Sequence, residues 1–266
     1  MSIQTLVKEI HRRDAVLSVA GWWHVFLLFC IWMAAPWDNR LVLGLNPWIK
    51  PMKFAVSVII FLWTMAWFQG YLSGPALGKR IIRWGTSLTI GLNVGLICVQ
   101  AARGVPSHFN THTTFDSAVF AVMGLSILLN SFVMVYAMYE FIWQPLELED
   151  AYLLGIRIGL FLFAMGSLEG MLIVLHQGHT VGAADGGAGL AFLNWSTKAG
   201  DLRIAHAMGL HSLQILPLAG FGLCRWLPGA SSIVRMGLLV LFAVVYTGAF
   251  VAMYLMAAAG KPLIAG

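Results

Sequence analysis

Seven predominantly apolar runs, each long enough to cross a lipid bilayer as a helix, divide this sequence. A helix rises about 1.5 Å per residue, so about 20 residues cross the roughly 30 Å hydrocarbon core. Only 10% of the residues are charged, whereas a soluble domain carries about 25%. We therefore predict an all-α, polytopic integral membrane protein whose seven transmembrane helices form a single domain over residues 15–266. The predicted spans are about 15–35, 54–72, 84–102, 117–139, 152–175, 204–223 and 234–259.

The residues before the first span form an amphipathic pattern. Ile3, Leu6 and Ile10 fall at helical spacing, and Lys8 and Arg12 lie on the other side of the wheel. This pattern predicts a short helix over residues 1–14 that lies on the membrane surface. We expect the first span to be retained rather than cleaved as a signal peptide, because no small-residue cleavage site follows it.

The charged residues indicate topology rather than nucleic-acid binding. The net charge is +5, but its Lys and Arg residues lie in short connections between apolar runs. Assigning alternate connections to alternate faces gives nine basic residues on the N-terminal side and seven on the other. The bias predicts a multi-pass protein of the inner (plasma) membrane, with a cytoplasmic N-terminus and an external C-terminus. The expected partner is the lipid bilayer, with no nucleic acid.

Glycines recur at four-residue spacing in two of the predicted spans. Such small residues let helix backbones approach closely in lipid, and faces of this kind also pair between protomers. We expect the third and fifth spans to be central to the bundle, and a homodimer to be plausible. The pairs are Gly91 with Gly95, Gly155 with Gly159, and Gly166 with Gly170.

Ionisable side chains inside the spans are few: His24, Glu169, His206 and His211. Because such groups are costly in hydrocarbon, each is a functional-site hypothesis. Glu169 is the candidate catalytic group, as a buried proton carrier, a partner for Arg157 or a histidine, or a ligand of a separate ion. The alternative is a protonated carboxyl that hydrogen-bonds a backbone carbonyl or a hydroxyl such as that of Ser167.

Two of these histidines, His24 and His211, lie near the middle of their spans and are the candidate axial ligands of haem b. Arg103 and Arg203 at the predicted external rim are candidate partners for its propionates. The alternatives are hydrogen bonds from the imidazoles to polar side chains such as Gln214, and ordinary interfacial arginines. His206 is five residues from His211, about 140° around the helix, so the two should not share a ligand.

Two further groups of residues have metal-ligand spacing for Zn²⁺ or Fe²⁺. His108, His112 and Asp116 form one stripe if their segment is helical, although Asp116 is equally explained as a helix N-cap. His176 and His179 could share an ion if their helix continues through them, with His206 facing them.

The connection between residues 179 and 201 is long and rich in glycine. Such a segment can act as a lid or a binding loop. Its apolar middle, residues 190–195, would equally suit an interfacial position.

Three functions that use these residues remain open, beside a purely structural role as a subunit of a larger complex, which needs no site. The leading hypothesis is a haem- or metal-binding protein of electron transfer, and the second is a metal-dependent membrane enzyme acting on a lipid or quinone-like substrate. The third is a transporter or proton-coupled channel that uses Glu169 and the histidines. A retinal protein is excluded because no lysine lies inside a span. A seven-helix hydrolase of the adiponectin-receptor kind is excluded because the last span has no histidine.

Overall fold

A computed structural model describes residues 2–186 and 189–264 of the chain. Gly187, in the glycine-rich connection, therefore lies outside the described residues. The helices and strands follow in chain order. They are α1 (Ile3–Arg13), α2 (Ala15–Ala34), α3 (Ile49–Gln69), α4 (Ala76–Arg103), α5 (Thr114–Trp143), α6 (Asp150–His176), β1 (Thr180–Val181), β2 (Gly200–Asp201), α7 (Arg203–Trp226) and α8 (Ser232–Ala258).

The seven helices α2 to α8 are each long and apolar enough to cross a membrane. This confirms the all-α, polytopic fold class, and the chain is a multi-pass membrane protein. The inner-membrane location and the orientation of the termini stay predictions.

Two spans begin earlier than the apolar runs do. Helix α3 begins at Ile49 rather than near residue 54, and α4 begins at Ala76 rather than near residue 84. The extra turns contain Lys50 and Arg83, which a search for uncharged runs omits. Long basic side chains are tolerated at helix ends because their charged heads reach the membrane interface.

The chain forms two compact units, Met1–Val133 and Met134–Gly266, which are described separately. The prediction of a single transmembrane domain stays a prediction. In the first unit, the carboxylate of Asp14 caps α2 by accepting from Leu17 N, and it also accepts from Arg83 Nε at 2.9 Å. The Arg13 side chain of α1 lies over the Trp67 ring. The first contact ties the start of α2 to α4, and the second attaches α1 to α3.

Close packing of α6 on α7 dominates the second unit. A Cβ added at Gly166 would lie 2.7 Å from Gly209 Cα, and one at Gly155 would lie 2.6 Å from the Leu216 carbonyl oxygen. The small-residue prediction is therefore confirmed for the fifth predicted span. For the third it stays a prediction: a Cβ at Gly91 or Gly95 would meet no atom of the described chain within 4 Å, so no close approach forms there within one chain.

Candidate functional site

Five acidic side chains are buried among the described residues, and one of them differs from the rest. Glu169 is 4% exposed, and neither of its carboxyl oxygens has a hydrogen-bond partner within the described part of the chain. An unpaired buried acid is costly, which makes this contrast the main feature of the molecule. The other four are partnered: Asp14 by Arg83, Asp116 by Arg103, Asp201 by Arg203 and Glu140 by Gln144.

The polar groups that the sequence suggested as partners for Glu169 are engaged elsewhere. Arg157 donates to the Phe141 carbonyl at 2.8 Å. Ser167 Oγ donates to the Phe163 carbonyl at 3.0 Å. The described residues therefore do not form the predicted hydrogen bond between a protonated Glu169 and a nearby carbonyl or hydroxyl group.

His206 sits against the turn of α6 that contains Glu169. Its Nδ1 lies 2.8 Å from the Gly166 carbonyl oxygen. A carbonyl can only accept, so Nδ1 carries the proton of the neutral ring and Nε2 has the lone pair. The ring packs on Gly170, where an added Cβ would lie 2.7 Å from His206 Cε1. Gly166 and Gly170 together therefore form the seat of this imidazole.

His211 and His24 occupy separate surroundings. His211 Nδ1 lies 3.3 Å from Gln214 Oε1, which confirms the hydrogen-bonded alternative considered for this histidine. His24 is 2% exposed and donates Nδ1–H to the Ala20 carbonyl at 2.8 Å. His24 belongs to the first unit and His211 to the second, so a haem shared by the two stays a prediction.

The segment after α6 holds a carboxylate–histidine pair. Asp185 Oδ2 lies 2.6 Å from His179 Nδ1, and the same carboxylate accepts from the backbone amides of His179 and Thr180. Burial by itself raises the pKa of Asp185. The hydrogen bonds from His179 and Thr180 outweigh it and hold that pKa well below its usual range. The carboxylate therefore orients the His179 ring.

Helix α6 ends too early for the metal site predicted from His176 and His179. It stops at His176, and Gln177 follows with a left-handed φ of 58°. His176 Nε2 then lies 3.0 Å from the Thr180 carbonyl oxygen. The expectation that a continuous helix aligns the two histidines on one ion is wrong, because the chain turns between them.

The prediction that His108, His112 and Asp116 form one stripe on a helix is also wrong. Residues 104–113 are not helical, since α4 ends at the left-handed Gly104. His108 Nδ1 lies 3.2 Å from Lys50 Nζ, and His112 is exposed.

The prediction that Asp116 is the N-cap of its helix is wrong by about one turn, because the cap lies three residues earlier. Its amide donates to Thr113 Oγ1 at 3.1 Å, so Thr113 is the capping residue of α5. The Asp116 carboxylate then binds Arg103 and accepts from Gln100 Nε2.

Both arginines predicted to bind propionates are paired within the chain. Arg103 pairs with Asp116, and Arg203 Nη2 lies 2.6 Å from Asp201 Oδ2. Among the described residues, no three His, Cys, Asp or Glu side chains are grouped closely enough to hold a metal ion. The predicted ligand sets therefore do not assemble there.

No protein-family model, curated protein or solved structure matches this chain. Sequence reasoning missed Asp185, although a signal was present: it is the one acidic residue between the histidine pair and Asp201.

Proposed function

We propose that this chain is a membrane protein that moves protons, and that Glu169 is the group that takes up and releases them. The observation that carries the proposal is the absence of any hydrogen-bond partner for this carboxyl in the described chain, against four partnered buried acids. A side chain kept at this cost in a span is expected to change its state during function.

The energetic argument distinguishes the two forms of the carboxyl. An unpaired ionised carboxylate costs several kcal/mol in a low-dielectric interior. A neutral acid with unmet hydrogen bonds costs less, about 1–3 kcal/mol. The carboxyl is therefore expected to hold a proton while it faces only packed side chains, and to release it when water or a cation reaches it.

The surroundings of Glu169 support proton transfer more than metal chemistry. The nearest turn of α6 seats the neutral imidazole of His206, and histidine exchanges protons near physiological pH. Three metal ligands are not grouped anywhere in the described residues. A metal-dependent enzyme acting on a lipid or quinone-like substrate consequently has no geometric support.

Proton flux in proteoliposomes tests the proposal. We expect purified protein, under a potassium-diffusion potential, to acidify or alkalise the vesicle interior faster than protein-free vesicles do. Glu169→Gln should reduce the flux to background. Glu140→Gln is the matched control, because it makes the same change at a buried acid of α5 that already has a partner. Equal flux in wild type and Glu169→Gln, or none in wild type with either sign of potential, would contradict the proposal.

A second candidate function is electron transfer with haem b or another redox metal bound by buried histidines. His24 and His206 each donate Nδ1–H to a backbone carbonyl at 2.8 Å. This arrangement presents the lone pair of Nε2, as metal-ligating histidines do. A reduced-minus-oxidised visible spectrum of the purified protein tests it. Bands that His24→Ala or His206→Ala removes would support the candidate, and a featureless spectrum would eliminate it.

A further inference from the structure

Leu202 links the backbone of His179 to the first turn of α7, and His206 of that helix packs on the turn of α6 that contains Glu169. We propose that Glu169 exchanges its proton with the aqueous edge of the membrane through His206, which in turn exchanges with the His179–Asp185 pair. This inference rests on the proposed function and specifies the route by which the same carboxyl is reached.

The first step joins His179 to the start of α7. The His179 carbonyl accepts from Leu202 N at 3.0 Å, and the Leu202 carbonyl accepts from His206 N at 3.2 Å. Leu202 lies one helical turn, about 6 Å along the axis, before His206, and the His179 backbone is held one hydrogen bond beyond Leu202. Strands β1 and β2 hold this spacing, because Thr180 pairs with Asp201.

The second step joins His206 to Glu169. The two α6 residues that seat the imidazole, Gly166 and Gly170, enclose Glu169 within a single turn of that helix. Residues three or four apart on a helix lie about 5–6 Å from each other. His206 thus packs on the same turn of α6 that carries the unpaired carboxyl, and the route requires water or a side-chain movement to join the two groups.

The outer end of this route is both accessible and oriented. The side chains of His179 and Asp185 retain 16% and 22% of their exposure, whereas Glu169 is buried. Asp185 binds His179 Nδ1 and stabilises the charged ring while it holds an extra proton. An oriented histidine at the edge, followed by a seated one, is the arrangement that a relay to a buried acid requires.

The transfer is balanced at each step. His179 takes a proton from a hydronium ion, which leaves as water, and becomes an imidazolium. It passes a proton to the lone pair of His206 Nε2. His206 passes that proton from Nε2 to an oxygen of the ionised Glu169 carboxylate, which forms an O–H bond, while Nδ1–H stays on the Gly166 carbonyl. Both imidazoles end neutral, one proton has moved inward, and no electron or other group is transferred. Release runs through the same steps in reverse.

The rate of hydrogen–deuterium exchange at Glu169 tests the route without requiring net transport. The infrared carbonyl band that Glu169→Gln removes identifies this carboxyl, at a pH where the band is observed. After a change from H₂O to D₂O, the time course of its shift measures proton access to Glu169. We expect His206→Ala and His179→Gln to slow the shift by about 100-fold, the usual lower range for a positioned proton-transfer group.

Chemical rescue separates a relay from a structural role. Added imidazole should restore much of the exchange rate in His206→Ala, because it can occupy the space left by the ring. His176→Gln is the matched control, and Glu169 in this variant should exchange at the wild-type rate. His176 is an exposed histidine at the end of α6, and its side chain hydrogen-bonds only the Thr180 carbonyl in the described chain. If His206→Ala does not fold, His179→Gln and Asp185→Asn provide the test from the loop.

The outcomes distinguish the route from the proposed function. Wild-type exchange rates in the His206 and His179 variants, or slowed exchange that imidazole does not restore, would overturn the route. If Glu169→Gln still abolishes proton flux in that case, the proposed function stands. Wild-type flux in Glu169→Gln would overturn the proposed function itself.

Discussion

Replacing Gly170 with alanine should displace the His206 ring without unfolding the protein. The new Cβ would lie 2.7 Å from His206 Cε1 and 3.1 Å from Nδ1. Carbon atoms in contact are about 3.5 Å apart or more, so the ring must move by about 0.8 Å. A movement directed away from the Gly166 carbonyl would lengthen the 2.8 Å contact from Nδ1 to as much as about 3.6 Å, beyond hydrogen-bonding distance.

The expected change in stability is small because two effects oppose each other. Loss of the hydrogen bond costs about 0.5–1.5 kcal/mol. Alanine in place of glycine within a helix gains up to about 1 kcal/mol. The net change in the free energy of unfolding should therefore stay within about 1 kcal/mol, measured as a small shift of the thermal midpoint.

The functional effect of Gly170→Ala should be much larger than its effect on stability. A displaced imidazole no longer meets its proton partners, so infrared hydrogen–deuterium exchange at Glu169 should slow by about tenfold or more. Gly237→Ala in α8 is the control, because its Cβ meets no described atom within 4 Å. Exchange at the wild-type rate in Gly170→Ala, or a loss of stability above about 3 kcal/mol, would refute the reasoning.

Three other substitutions test helix packing and charge pairing, two of them in the second unit and one in the first. Gly209→Ala places a Cβ 2.5 Å from the Gly166 backbone, and it should lower the unfolding free energy by about 1–3 kcal/mol in thermal denaturation; an unchanged midpoint would contradict the close approach of these helices. Asp185→Asn should raise the backbone exchange rate of the β1 segment about tenfold, since hydrogen bonds to a charged group contribute about 1.5 kcal/mol or more. The pKa of Asp185 is depressed in the folded state, so its contribution to the stability of the β1 segment should be complete above about pH 4 and be lost as the pH falls below that. Backbone exchange protection of this segment that does not change on acidification would contradict this expectation. Asp14→Asn should lower the free energy of unfolding by about 2–3 kcal/mol, because it leaves Arg83 unpaired. This is somewhat less than the cost of breaking a fully buried pair, since the Arg83 side chain is 30% exposed. An unchanged thermal midpoint would show that the pair does not stabilise α2 against α4.

The spans could be predicted from the sequence because bilayer thickness fixes the length of an apolar helix. The same reasoning identified Glu169, since one carboxyl stands alone in an uncharged run. The helix starts at Ile49 and Ala76 could not be placed by that search, because basic side chains at the interface interrupt the apolar pattern without ending the helix.

The predicted metal sites at His108–Asp116 and His176–His179 do not form, because the helices that would align their ligands end before or between them. A stop signal for α4 was present in the sequence, because Gly104 followed by Pro106 is typical of a helix C-terminus. For α6 the signal was weaker. Gln177 adopts the left-handed conformation, and glycine follows it only at position 178. The partner of His179 was unpredictable from spacing, since Asp185 reaches it only after the chain reverses.

A comparison of two substitutions at position 169 tests the central claim most directly. Glu169→Asp keeps an acid but shortens the side chain, whereas Glu169→Gln keeps the shape and removes the acid. If the carboxyl carries protons, Glu169→Asp should retain measurable proton flux in proteoliposomes and Glu169→Gln should show none above protein-free vesicles. Flux in Glu169→Gln equal to wild type, together with loss in Glu169→Asp, would show that the side chain acts through its shape and would contradict the account.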